Sequence, residues 1–259
     1  MSELLIDRAG RVLTLTLNRP QVGNAMTPDL MNAVGDAIVD ARGDDIAAIV
    51  LTGAGDRHFC TGIDIKAFAQ AEQAGAGWLE ALYSGARRSL FEIVAESDVP
   101  VIAAVNGAAI SGGFELMLAC DFAVAADHAT FGCPEAKRGV GAQFAAVVLP
   151  RRIAPALALD MLLTGTSIDA AEAYRRGLLV EVCADAATAR DVAGDRARRI
   201  AANAPLTVRR IRRTARRSRE MPLVAALRLD EHPNPYLSED RIEGLRAFTE
   251  RREPVWKGK

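Results

Sequence analysis

Two stretches constrain the fold more than anything else in the chain. Ile46 to Thr52 (Ile-Ala-Ala-Ile-Val-Leu-Thr) and Val99 to Val105 (Val-Pro-Val-Ile-Ala-Ala-Val) are apolar throughout and of strand length. A strand with one wet face alternates, as Val12 to Leu17 does (Val-Leu-Thr-Leu-Thr-Leu). A strand without alternation must be covered on both faces, and a parallel sheet between two layers provides that. Helix signals fall between the strands. Thr27-Pro28 reads as an N-cap followed by proline at the first helical position, with the helix running to about Arg42 and closing at Gly43. Arg87 to Glu96 and Phe114 to Ala119 read as helices, and Asp121 to Ala126 and Leu178 to Cys183 as strands. Ser167 to Ala173 opens a further helix that Gly177 ends. Strands alternating with helices predict an α/β core. Ala67 to Gly85 has little pattern and reads as a loop or short helix. The last sixty or so residues show no strong strand signal and read as a helical appendage.

Composition narrows the function classes. The chain has 32 Lys+Arg against 33 Asp+Glu, a net charge of −1, which argues against bulk attraction to nucleic acid or acidic membranes. No apolar run approaches a membrane span, and Met1 to Arg8 carries acids where a signal peptide needs a basic start, so a cytoplasmic protein is expected. Cys60, Cys120, Cys133 and Cys183 form no C-x-x-C pair and read as reduced thiols in apolar surroundings. His58, His128 and His232 are too scattered to suggest a metal site, and none is expected. Phosphate-loop, dinucleotide and zinc-helix motifs are absent from the sequence.

The segment from Val101 to Gly139 carries the chemistry. A buried strand ends at Asn106-Gly107, and Ser111-Gly112-Gly113-Phe114-Glu115 then enters a helix. Glycines at such a turn leave backbone N–H groups bare at a helix N-terminus, a site for a negative oxygen. Glu115 lies one turn inside the helix, close to that point. The plainer alternative is that the glycines serve tight packing and Glu115 is solvated. Further on, Phe131-Gly132-Cys133-Pro134-Glu135 offers a carboxylate fixed by a proline beside an apolar wall, where a raised pKa would suit an acid.

Four stretches together resemble the enoyl-CoA hydratase/isomerase (crotonase) superfamily. Phe59-Cys60-Thr61-Gly62-Ile63-Asp64 is similar to its F-[CS]-x-G-x-D pattern. Pro100 to Asp121 is similar to its P-V-I-A-A-V-x-G-x-x-x-G-G-x-E segment. Phe131 to Glu135 matches F-G-x-P-E, and Leu163-Thr164-Gly165 through Gly177-Leu178-Leu179-Val180 matches L-T-G…A-x-x-x-G-L-V. The resemblance covers residues 3 to 258. It implies a crotonase (ClpP-like) α/β fold, a superhelix of β-β-α turns over 1–195, with a C-terminal helical oligomerisation region over 196–259. It implies reversible addition of water to a trans-2-enoyl-CoA. The thioester oxygen would sit between the backbone N–H groups of Ile63 and Gly112. Glu115 would act as base to the water, and Glu135 would give the proton to the α-carbon. Gly62, Asp64, Lys66, Phe248 and Arg251 match positions at the acyl-CoA site, the last two in a tail that relatives often supply from a neighbouring subunit. No cofactor is implied beyond the CoA of the substrate. Homotrimers, or dimers of trimers, are implied as assemblies. The sequence departs from the family at Arg138 to Ala146, which is one residue shorter and bulkier at Gln143 and Phe144, where relatives line the acyl pocket.

Other readings compete. Within the family these are an enoyl-CoA isomerase, a CoA hydrolase and a decarboxylase. Outside it, Ala109-Ile110-Ser111-Gly112-Gly113 is one residue from the G-x-S-x-G elbow of serine hydrolases, with His232 in the right chain order. Seven arginines between Arg209 and Arg219 read first as a solvated helix face or subunit contact, and otherwise as a site for CoA phosphates or nucleic acid.

Overall fold

The computed structural model describes residues 2–43, 45–73, 75 and 88–259. The larger of its sheets runs in the order β1 (Leu4–Ala9), β2 (Val12–Leu17), β3 (Ala48–Gly53), β5 (Val101–Val105), β7 (Phe122–Ala126), β10 (Glu181–Cys183). The smaller runs β4 (His58–Cys60), β6 (Ala108–Ile110), β8 (Thr130–Gly132), β9 (Ile168–Asp169). Among the described residues, only the β1–β2 and β8–β9 pairings are antiparallel. β1 went unread in the sequence because only Leu4 of it is buried.

The chain repeats one move: a strand in the large sheet, a strand in the small sheet, then a helix. β3 and β4 lead to α2 (Ile65–Gln73), and β5 and β6 lead to α4 (Gly112–Ala119). β7 and β8 lead through a 3-10 turn at Pro134–Arg138 to α5 (Gln143–Val148). This is the superhelix of β-β-α turns that the crotonase resemblance implies. Of the stretch Ala67 to Gly85, the part through Gln73 belongs to α2; most of the rest lies outside the described residues.

Both long apolar strands are buried on both faces. Ile49, Leu51, Val101, Ala103 and Val105 point into the main core with α1 (Pro28–Asp40), α3 (Leu90–Glu96) and α4. After α5 come α6 (Pro155–Thr164) and α7 (Ala170–Arg175), and Ala48, Val50, Ile102 and Ala104 point the other way, under Ala193 and Ala197 of α8 (Ala186–Ala201). Each fully buried Val, Leu or Ile stabilises the fold by about 1.5–3 kcal/mol. The alanine stripe of α8 lets the helix lie close on the sheet, so few aromatic residues are needed. The expected boundary between 195 and 196 falls inside α8, so the cover of the sheet extends past it. Thr27 caps α1, its Oγ1 accepting from Leu30 N at 3.1 Å. The helix ends at Asp40, earlier than Arg42, and Gly43 N closes onto Asp40 O at 2.8 Å.

Beyond α8 lie α9 (Pro205–Arg217), α10 (Leu223–Ala226) and α11 (Glu239–Glu250). Most of the arginines from Arg209 to Arg219 turn toward carboxylates and carbonyls of the same chain instead of forming a solvated face. Buried Arg212 donates through Nε to both Asp121 oxygens (2.9 and 2.8 Å) and through Nη2 to Val94 O and Ala95 O (3.3 and 3.2 Å). Arg216 reaches Asp121 at 3.1 Å, Arg213 pairs with Asp98, and Arg217 with buried Glu231 at 3.1 Å. Arg210 and Arg219 donate to the carbonyls of Glu231 and Arg151. The exits of α3 and α4 leave carbonyls and carboxylates at the edge of the core, and guanidinium forks satisfy several at once.

Candidate active site

β4, β6 and β8 are parallel neighbours, and the chain leaves their C-terminal ends into three adjacent turns. Ile63 follows β4, Gly112 follows β6, and Glu135 follows β8. Successive turns of one superhelix therefore bring together residues far apart in sequence.

The first two turns touch. Gly62 has φ +97°, and a Cβ there would stand 2.8 Å from Ser111 Cβ and 3.1 Å from Gly112 N. A Cβ on Gly113 would stand 1.9 Å from the Cys60 carbonyl oxygen, so only glycine lets α4 start against the end of β4. Ser111, at φ 59° and ψ −134°, occupies backbone space that is nearly glycine-only and costs about 1–3 kcal/mol. The N–H groups of Ile63 and Gly112 meet no acceptor among the described residues. Two bare donors at touching turns are free to receive an anionic oxygen.

Glu115 sits in the first turn of α4, all of whose residues are buried. Its Oε1 accepts from Ala145 N at 2.9 Å. Ala142, the N-cap of α5, supplies no side-chain oxygen, so the Glu115 carboxylate takes that role. Burial pushes the Glu115 carboxyl up to about 7; the Ala145 N–H opposes this, and the charge of Glu135 adds to it. Glu135 is also buried, and its Oε2 has no partner. The Cys133 thiol is pushed up by burial and then by the nearby charges of Glu135 and Glu115. Phe91 and Phe144 meet at a tilt of 42° with ring centroids 5.6 Å apart, and Phe91 Cζ and Met26 Cε lie 3.6 and 3.3 Å from a Cβ built on Gly112.

The other anticipated residues are placed differently. Asp64 Oδ1 accepts from Lys66 N and Ala67 N at 3.1 and 3.2 Å, and Oδ2 meets Arg19 at 2.9 Å. Burial alone would raise the Asp64 carboxyl, yet the Ala67 N–H and Arg19 hold it below its ordinary range. Asp64 thus shapes the turn next to Ile63, with both oxygens committed. Lys66 is exposed on the first turn of α2. Phe248 is 85% exposed on α11, and Arg251 ends that helix at φ 54°. No hydrogen bond or ion pair among the described residues joins α11 to Glu115 or Glu135. No histidine hydrogen-bonds the Ser111 side chain among the described residues: His232 pairs with Asp230 at 3.2 Å with its side chain 75% exposed, so the serine-hydrolase arrangement is not assembled. The sequence reading missed the Ala145 N–H, because a backbone donor carries no side-chain signal. It also missed Met26, from the stretch before α1, and Phe91, from α3.

The chain matches the family model described as enoyl-CoA hydratase/isomerase over residues 7–259. It is 39% identical to the carnitinyl-CoA dehydratase of Citrobacter koseri and 38% identical to that of Salmonella enteritidis, over 100% of both chains in each case. Among solved structures, an enoyl-CoA hydratase from Bacillus anthracis matches with TM-score 0.89 and 30% identity over 100% of both chains. One from Mycobacterium tuberculosis matches with TM-score 0.88 and 35% identity over 99% of both. The chain belongs to the enoyl-CoA hydratase/isomerase family. It is an acyl-CoA enzyme of the hydratase/dehydratase type. No helix among the described residues is long and apolar enough to cross a membrane.

Proposed function

We propose that the protein adds water reversibly across the C2=C3 bond of a trans-2-enoyl-CoA to give a 3-hydroxyacyl-CoA. The observation that carries this is a pair of buried carboxylates beside two bare backbone donors. One carboxylate is anchored to Ala145 N; the other has an oxygen with no partner. In hydration, Glu115 takes a proton from water as its oxygen bonds to the β-carbon. The π electrons move to the thioester oxygen, held by the N–H groups of Ile63 and Gly112. Glu135 then gives its proton to the α-carbon. At the end the proton lies on Glu115, where burial already favours it in the free protein. That is the arrangement from which elimination starts, so the reverse reaction needs no other groups. The reading calls for no resident cofactor and no metal; CoA arrives with the substrate, and Lys66 and Gly62 flank it.

Similarity to carnitinyl-CoA dehydratases favours one particular substrate pair, carnitinyl-CoA and its dehydration product, which the same steps would interconvert. Assembly as a trimer, or a pair of trimers, would cover the apolar side chains that the C-terminal helices expose, Leu227, Leu237 and Phe248 among them. It would also bring Phe248 and Arg251 to the acyl-CoA of a neighbouring copy.

The test is the loss of enoyl-thioester absorbance with crotonyl-CoA and with crotonobetainyl-CoA, in the wild type and in Glu135→Gln. Loss with either substrate, slowed at least a hundredfold by Glu135→Gln at nearly unchanged acyl-CoA affinity, is the expected result. Unchanged turnover in Glu135→Gln would remove it from the chemistry. Proton shift within 3-enoyl-CoA without any hydration would favour the isomerase instead.

A further inference from the structure

The donor at Ile63 sits on a turn outside any strand or helix, and a backbone N–H helps an oxyanion only if its direction is fixed before charge develops. What fixes it can be traced. On one side of Ile63, Gly62 O accepts from Met26 N at 2.8 Å; on the other, Asp64 N donates to Met26 O at 2.8 Å. The peptide of Ile63 is thus slung between two bonds to one residue, Met26. Met26 itself belongs to a connecting stretch between the 3-10 turn at Pro20–Val22 and α1.

Arg19 ties these two stretches together. Its Nη1 donates to Ala25 O, the carbonyl before Met26, at 2.6 Å. Its Nη2 pairs with Asp64 Oδ2, the residue after Ile63, at 2.9 Å. Its Nε pairs with Glu3 Oε1 at 2.9 Å, and the other oxygen of Glu3 accepts from Thr27 Oγ1 at 2.6 Å. The side chains of Arg19 and Asp64 are 14% and 16% exposed. A planar fork that reaches one group on each flank fixes their separation, which a flexible ammonium would not.

We propose that Arg19, with Asp64, is a positioning residue for the reaction: it clamps the Met26 and Ile63 stretches so that the Ile63 N–H is held toward the thioester oxygen. The inference rests on the hydratase reading of the site. Arg19 touches no substrate; it acts through the Ala25 and Asp64 flanks of the slung peptide.

The test uses acetoacetyl-CoA, whose 3-keto thioester gives a near-ultraviolet enolate band when an oxyanion pocket holds it, and butyryl-CoA, which cannot form that enolate. The wild type must show the band; if it does not, the hydratase reading itself fails. Arg19→Lys keeps a cation near Asp64 but loses the second arm, and Asp64→Asn keeps acceptors for Lys66 N and Ala67 N but loses the ion pair. In both, the clamp predicts kcat down by about tenfold to a hundredfold and a weaker enolate band. KM and butyryl-CoA affinity stay within about threefold, because ground-state binding does not use the clamp. Glu3→Gln, which loosens only the outer brace, moves kcat and the band the same way by a smaller factor and decides the matter if the other variants do not fold. An unchanged band and kcat in these variants would overturn the proposal. So would loss of butyryl-CoA binding in parallel with the band, which would assign the pair to folding alone.

Discussion

Helix α4 buries every one of its residues, whereas α11 buries only Asp240 and Ala247. α4 stands where the core is closed on all sides. Its first turn carries Gly112 and Glu115. Its last carbonyls, which would be orphaned in that core, are taken by guanidiniums: Arg152 Nη2 donates to Leu118 O and Cys120 O at 2.9 Å each, and Arg216 to Ala119 O at 3.2 Å. α11 instead turns Ile242, Leu245 and Phe248 outward, 61%, 60% and 85% exposed. The difference separates two jobs. The proposed reacting groups are held within one chain, while the outer helices present apolar surface that only another molecule can cover.

The largest effect should follow from Glu115→Gln. Removal of the proposed base should lower kcat by about 10²–10⁴. The same variant should be more stable than the wild type at pH 8. The folded-state pKa is raised from 4.5 to about 7, so the stabilisation from holding the proton is complete below 4.5 and lost as pH rises through 7. Chemical denaturation should show a gain on the order of 2–3 kcal/mol at pH 8 and none at pH 4. No gain at pH 8 would mean that the carboxylate is not disfavoured by its burial.

Next comes Gly113→Ala. The added methyl meets the Cys60 carbonyl at 1.9 Å, a backbone atom that cannot swing away. Thermal unfolding should show a loss of about 3 kcal/mol, with activity lost alongside. A near-neutral result would show that the junction of β4 and α4 is loose. The smallest effect on the single chain should come from Phe248→Ala, within about 0.5 kcal/mol of wild-type stability. Sedimentation should nonetheless show weakened self-association. Equal damage to chain stability would erase the contrast between the two helices.

Much of this was readable from residues alone. The two-sided strands showed themselves by lacking alternation, and Thr27, Ser111-Gly112-Gly113 and Pro134-Glu135 marked helix starts and turns through local chemistry. The four motifs placed Ile63, Gly112, Glu115 and Glu135 in order. What stayed hidden depends on contacts between distant segments. The arginines of α9 look solvent-facing in sequence because helical spacing says nothing about the Asp121 and Asp98 carboxylates waiting beneath them. Asp64 looks like a binding residue until Arg19 and the first turn of α2 occupy it. The Ala145 N–H that steadies Glu115 belongs to a residue with no functional side chain.

In the proposed reaction one proton, shared between Glu115 and Glu135, moves to and from the substrate. The pH dependence of kcat/KM in hydration and dehydration tests it most directly. Burial keeps the proton of Glu115 until about pH 7, so the active, singly protonated pair is lost above that point. kcat/KM should fall tenfold per pH unit above about 7. The fall should be identical in both directions, since water addition consumes no net proton. In Glu135→Gln the residual limb should move to lower pH, because the neighbouring charge is gone. A rate that keeps rising through pH 7 to 9, with no limb that Glu135→Gln can shift, would contradict it.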